Sequence, residues 1–148
     1  MRPIKFRGKC SHCDAWAYGS LVVLGEDEAP EIHGFDPYKE DIEEWREIIV
    51  DRCTVGQYTG VTDKNGKEIY EGDIVECVSW NEYFTNPSTG EVMQPFRRRM
   101  VVEFRNGGFK MVEKMPDPMK DNEWDIIYDG DIEIIGNIHD NPELIEKC

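Results

Sequence analysis

The chain has 148 residues, 39% of them apolar, and 17 Lys and Arg against 31 Asp and Glu, a net charge of −14. That composition supplies a core for about one domain and argues against global disorder, and no run of about 18 apolar residues is present to span a membrane. The acidic balance opposes approach to a phosphate backbone, because binding there relies on Lys and Arg releasing counterions.

Taken in chain order, "MRPIKFRGKC" carries basic residues but no apolar h-region. No secretory signal peptide is therefore expected, and a cytosolic chain is. Within it, Met1 to Arg7 alternates Ile4 and Phe6 with Lys5 and Arg7, the pattern of a half-buried strand. "AWAYGSLVVL" (Ala15 to Leu24) is rich in aromatic and β-branched residues and predicts a second strand. The two form a hairpin with "GKCSHCD" at its tip. In a cytosolic chain the five cysteines are expected as reduced thiols.

"FDPYKEDIEEWREIIV" changes period. Tyr38, Ile42, Trp45 and Ile49 fall at helical spacing, Asp36 suits an N-cap and Pro37 the first turn, so a short helix is predicted from Pro37 to Arg46. "IIVDRCTVGQY" reads as a strand. In "TGVTDKNGKEIYEGDIVEC", Asn65-Gly66 tolerates φ > 0 and predicts a two-residue hairpin loop, and Gly72-Asp73 turns the chain into a strand from Ile74 to Trp80. "NEYFTNPSTGEVMQPF" is loop-like. "RRRMVVEF" and "GFKMVEK" flank a hairpin turn at Asn106-Gly107. Pro116 and Pro118 predict a loop over "MPDPMKDNEWD". "DIEIIGNI" is a strand with Ile132, Ile134 and Ile138 on one face. Asn141 and Pro142 open a closing helical turn.

"IYEGDI" (Ile69 to Ile74) recurs as "IYDGDI" (Ile127 to Ile132) with unmatched flanks. This is one turn chemistry used twice, with Gly130 and Asp131 answering Gly72 and Asp73. Many short strands and Gly-, Asn- and Pro-containing turns predict a mainly β chain. The expectation is a small SH3-like or related partly open β-barrel with an N-terminal β-hairpin extension and one or two short helices. Residues 1–58 would supply hairpin, short helix and strand packed on a barrel-like core of residues 59–148, the whole being a single structural unit.

Four features invite a chemical reading. Cys10 and Cys13 form a C-x-x-C knuckle with the bite for zinc, but no second half-site follows it. "DKNGKE" fails the calcium register, since counting from Asp63 the sixth place holds Glu68 and not Gly. The run Arg97 to Arg99 suits a phosphate, a neighbouring subunit's carboxylates or local charge compensation, the last being the commoner role. His139 and Asp140 sit beside a helix cap. No G-x-S-x-G or P-loop is present, so no catalytic residue or cofactor is proposed. The turn residues Asn65, Gly66, Gly72, Asp73, Gly130 and Asp131 are read as folding machinery.

"IKFRGK" with "WAYGSLV", "TVGQYTGVTDKNGKEIYEGDIVE" (Thr54 to Glu76) and "IIGNIHDNPELI" (Ile134 to Ile145) together resemble the YopX family of small proteins of bacteriophages and prophages. The resemblance implies a mainly β fold, a phage or prophage origin and the bacterial host cytoplasm, with no activity attached. Cys10 and Cys13 depart from the family's opening hairpin. The expectation is a non-enzymatic accessory module that binds itself, as a homo-oligomer, or an unidentified host or phage protein, without direct nucleic-acid binding or a membrane. Two alternatives stand beside it: an acidic nucleic-acid-mimicking inhibitor of a host protein, and a metal-dependent enzyme using Cys10 and Cys13 with zinc.

Overall fold

The computed structural model describes residues 2–35, 45–79, 87–90, 96–126 and 131–146. Eleven strands are present among them: β1 (Phe6–Lys9), β2 (Trp16–Val22), β3 (Glu31–Phe35), β4 (Trp45–Ile49), β5 (Gly56–Thr62), β6 (Glu68–Tyr70), β7 (Asp73–Ser79), β8 (Phe96–Arg105), β9 (Gly108–Glu113), β10 (Asn122–Asp125) and β11 (Ile132–Asn137). The chain is mainly β, as its short alternating runs predict. The strands form two antiparallel sheets, ordered β4-β3-β2-β1-β5-β6 and β10-β9-β8-β7-β11, and neither closes into a barrel among the described residues. Met1–Gly60 with Glu68–Gly72 form one compact unit, and Val61–Lys67 with Asp73–Cys148 form the other.

In the first unit β1 and β2 make the predicted hairpin, with Arg7 opposite Tyr18 and Lys9 opposite Trp16. Ala17, Ile32 and Val50 are its fully buried apolar centre, packed by Phe6, Leu21, Ile48 and Val55. Arg7 is buried on the other face of β1 from Phe6, the face that it shares with Trp16 and Tyr18. Its guanidinium stacks 4.7 Å from the Trp16 ring and 5.1 Å from the Tyr70 ring, and Nη2 donates to the Glu71 carbonyl at 3.2 Å. Two aromatic faces and a carbonyl make burial of this cation tolerable where a bare apolar wall would not. Tyr70 also meets the Tyr18 and Tyr58 rings, each at 5.5 Å between centroids, and donates to Glu68 at 2.8 Å. Burial, followed by that bond to Glu68, pushes the Tyr70 hydroxyl well above its ordinary pKa.

One strand prediction needs correction here, and one strand is not predicted. The segment from Ile48 to Tyr58 is not one strand, because Asp51 interrupts it. Its Oδ1 accepts from Cys53 N at 2.9 Å and its carbonyl accepts from the Thr54 hydroxyl at 2.6 Å, which winds Arg52–Thr54 into a single 3₁₀ turn. Strand β3 lies where no strand is predicted: Glu31, His33 and Gly34 dilute its apolar signal, and Ile32 is buried. Most of the predicted helix, residues 37–44, lies outside the described residues. Its last two residues, Trp45 and Arg46, belong to β4, paired with Phe35 and Gly34.

The second unit contains a hairpin at Asn106-Gly107. Both residues take positive φ, 51° and 79°, as a two-residue loop with the twist of its strands requires. Strand β10 occupies part of the predicted loop after Pro118, where pairing with β9 overrides a weak local signal; all four of its residues are exposed. Strand β11 pairs β7 with a bulge between Ile134 and Gly136 and ends at Asn137, so Ile138 falls beyond it. The chain then makes a 3₁₀ turn at Pro142–Leu144. Pro142 sits at its start, but the Asn141 side chain accepts from Asn137 N at 3.3 Å instead of capping the turn.

The turn in "TDKNGK" differs from its prediction in an informative way. Only Gly66 has positive φ, at 79°, and Asn65 does not. Gly66 N donates to the Asp63 carbonyl at 3.0 Å, and Asp63 N donates to the Lys67 carbonyl at 2.8 Å. This is a three-residue loop, a tight turn followed by one left-handed glycine. The cause is the Asp63 carboxylate. Its Oδ1 accepts from Asn65 N and Lys67 N, both at 2.9 Å, which holds the chain in the turn, while Oδ2 accepts from Ile134 N of β11 at 3.1 Å. Asp63 is 4% exposed. Burial alone would raise its pKa, but the bonds from Ile134, Lys67 and Asn65 together hold it below the ordinary 3.8.

Asp63→Ala leaves those donors without their acceptor and is expected to cost about 3 kcal/mol, seen as a melting midpoint lower by roughly 10 °C. Because the folded state holds the carboxyl below its unfolded value, its contribution is complete above about pH 4 and fades as pH falls through the folded pKa. Acid titration of stability should therefore be shallower in Asp63→Asn than in the unsubstituted chain, measured by urea melts between pH 2 and 7; parallel curves would refute the role.

Candidate functional site

The sequence points first to Cys10 and Cys13. They sit where β1 turns into β2; Cys10 N donates to the Ala15 carbonyl at 2.9 Å, and Cys10 bridges to Val50. The bend at Ser11 to Asp14 brings their Cα atoms to 5.3 Å, and the structure joins them as a disulfide. This departs from the expectation of reduced thiols throughout. A disulfide offers no thiolate, so only the reduced pair presents the knuckle that suits zinc. Cys53 is exposed and Cys77 half-buried, and neither is in a disulfide.

The turn residues are dispersed. Asn65 and Gly66 serve the Asp63 turn, Gly72 takes φ 84° before β7, and Asp73 is buried at 2% exposure. Asp131 is exposed ahead of β11, and Gly130 lies outside the described residues. Tyr58 and Tyr70 of the same stretch are buried among the rings around Arg7.

The basic run lies on β8 opposite acids. Arg97 and Arg99 point to one face and bracket Glu76 of β7 at 3.0 and 3.4 Å; Arg98 points to the other face, 3.7 Å from Glu113. Local charge compensation is what the strand pairing produces. The pattern continues along the face that carries Arg99. Arg105 contacts Glu103 at 2.7 Å, Asp121 at 3.0 Å and Glu123 at 3.7 Å; Lys114 reaches Glu103 and Asp121, and Lys110 reaches Asp125. A bond from Met115 N and then the one from Arg105 hold the Asp121 carboxyl below its ordinary range.

The opposite face of β8-β9-β10 is different. Strand alternation and register set Val102, Met111 and Trp124 in one row and Phe104 opposite Phe109 in the next. Val102 and Met111 are buried, but Phe104 is 56% and Trp124 38% exposed. The Phe104 and Phe109 rings meet edge to face at 5.3 Å, and the Arg98 guanidinium lies 5.3 Å over the Trp124 ring. An exposed Phe and Trp with a half-buried Arg over the Trp ring, fixed by strand pairing, is the kind of surface that carries binding energy at protein interfaces. Sequence reading missed it because β10 went unread, and with it the neighbour that brings Trp124 beside β9.

Alkylation without reductant should mark Cys53 and leave Cys10 and Cys13 unlabelled, with both becoming labelled after dithiothreitol. Mass spectrometry of the peptides distinguishes this from equal labelling in both conditions, which would mean that the pair is reduced in solution.

Among solved structures the chain is similar to "Crystal structure of protein EF1440 from Enterococcus faecalis", with a TM-score of 0.52 and 24% identity over 99% of this chain and 100% of that one. At that identity the likeness speaks to the fold. Nothing among curated proteins matches. The family model described as YopX protein matches residues 5–146, nearly the whole length. With its opening hairpin, its Asp63-centred turn and its closing Asn137–Ile145 segment all inside that match, the chain belongs to the YopX family.

Proposed function

We propose that this chain is a protein-interaction module of phage or prophage origin, acting in the bacterial cytoplasm as a non-enzymatic accessory protein. The observation that carries this reading is the exposed Phe104 and Trp124 on one face of β8-β9-β10, with the half-buried Phe109 against Phe104 and Arg98 laid over Trp124. Its partner is a host or phage protein with a neutral-to-basic surface, and not a second copy. Two copies at −14 each repel one another. The strand edges also discourage pairing between copies: β6 has three residues, β10 carries Glu123 and Asp125, β11 is bulged and β4 carries Arg46 and Glu47. A nucleic-acid mimic needs carboxylates left free on one face, whereas those on β8-β9-β10 alternate with Arg and Lys.

Pull-down from a bacterial lysate tests the reading, using the full chain, Phe104→Ala/Trp124→Ala and Lys64→Ala as a surface control. A specific protein should be retained by the chain and the control and reduced at least about tenfold by the double substitution. Equal retention by all three, or light scattering that reports a stable homodimer disrupted by the double substitution, would overturn it.

A further inference from the structure

On the outer face of the first unit, Glu31 and His33 stand two residues apart on β3 and so point the same way. Glu47 lies directly opposite His33 on β4 and joins them. One carboxylate oxygen from each glutamate and one ring nitrogen of His33 all lie within 4.8 Å of one another. The closest pair is Glu31 Oε2 and His33 Nε2 at 2.8 Å. The inner side of the same strands is fixed: Ile32 is fully buried and opposes Ile48. The ligand backbones are therefore held while the side chains face outward.

We infer that Glu31, His33 and Glu47 form a binding site for a divalent transition-metal ion. Two features point there. First, the donor set is mixed: imidazole with carboxylates suits Zn²⁺, Co²⁺, Mn²⁺ or Ni²⁺, whereas Ca²⁺ and Mg²⁺ call for oxygen throughout. Second, neither glutamate pairs with a Lys or Arg among the described residues, in contrast to the acids of β8-β9-β10. Two carboxylates thus converge on one imidazole with no Lys or Arg of the described residues paired to either. Donors bound at about 2.1 Å from an ion stand at most about 4.2 Å apart, so a small rotation of the exposed Glu47 closes the set. The ion takes the Nε2 lone pair of neutral His33, and the carboxylate of Glu31 turns from that nitrogen to the metal. Three protein donors leave coordination positions for water or for a ligand from a partner. Cys10 and Cys13, the metal ligands the sequence suggests, play no part.

The test is titration of the untagged full chain with Co²⁺, followed by visible absorption, and with Zn²⁺, followed by calorimetry. Saturable binding of one equivalent is expected, weakened at least about tenfold by His33→Ala, since even outer-shell losses have effects of that size. Glu47→Gln, nearly isosteric and on an exposed side chain, should weaken it likewise with an unchanged melting curve. Cys10→Ser/Cys13→Ser should bind as the unsubstituted chain does. Absence of saturable binding, binding that survives His33→Ala, or binding lost with the two cysteines would each overturn the assignment.

Discussion

The Asp63 carboxylate is the constraint on which the second unit's connectivity rests. Three backbone N–H groups converge on it, two from its own turn and one from β11, more than 70 residues later in the chain. One buried anion thereby fixes a local loop and a long-range strand together. The Lys64 N–H donation to the Ile132 carbonyl at 2.9 Å extends the same junction. Such an acceptor is worth more than its neutral counterpart, because each donor loses water and gains a charge. Gly66 follows from it, completing with positive φ the loop that the carboxylate winds.

The first unit solves the opposite problem, a buried cation. Alternation puts Arg7 on the face of β1 away from Phe6, and that face is covered as well. The rings of Trp16 and Tyr70 receive it, and Tyr58 and Tyr18 pack round Tyr70. Aromatic residues drawn from the hairpin and from the Thr54 to Glu76 block thus share one charged centre, a physical reason for both stretches to be distinctive in the same sequence.

Charge is distributed unevenly at the level of single faces. On β8-β9-β10 acids and bases alternate, so a chain of −14 carries a nearly balanced lattice on that side. The reverse side presents Phe104, Phe109 and Trp124. On β3-β4, by contrast, Glu31 and Glu47 converge on His33. A net charge read from composition averages over these differences, and the differences are where recognition chemistry resides.

The sequence by itself determined the β character, the hairpins at Cys10 to Asp14 and Asn106-Gly107, and family membership, because these depend on local period, on residues that tolerate positive φ and on a long specific block. It also supplied the right weight for the Arg97 to Arg99 run, whose compensation by acids follows from a strand with an acidic neighbour. Only the tertiary structure decided that β3 and β10 are strands, since their own residues carry too little apolar signal and their pairing partners supply the stabilisation. It alone decided that Asp63 reaches Ile134, that Tyr58 and Tyr70 are core rather than surface, that Cys10 and Cys13 are joined, and that Glu47 stands against His33. Each of these is a relation between residues far apart in the chain or across a turn, and spacing along one strand carries no information about the register of its neighbour.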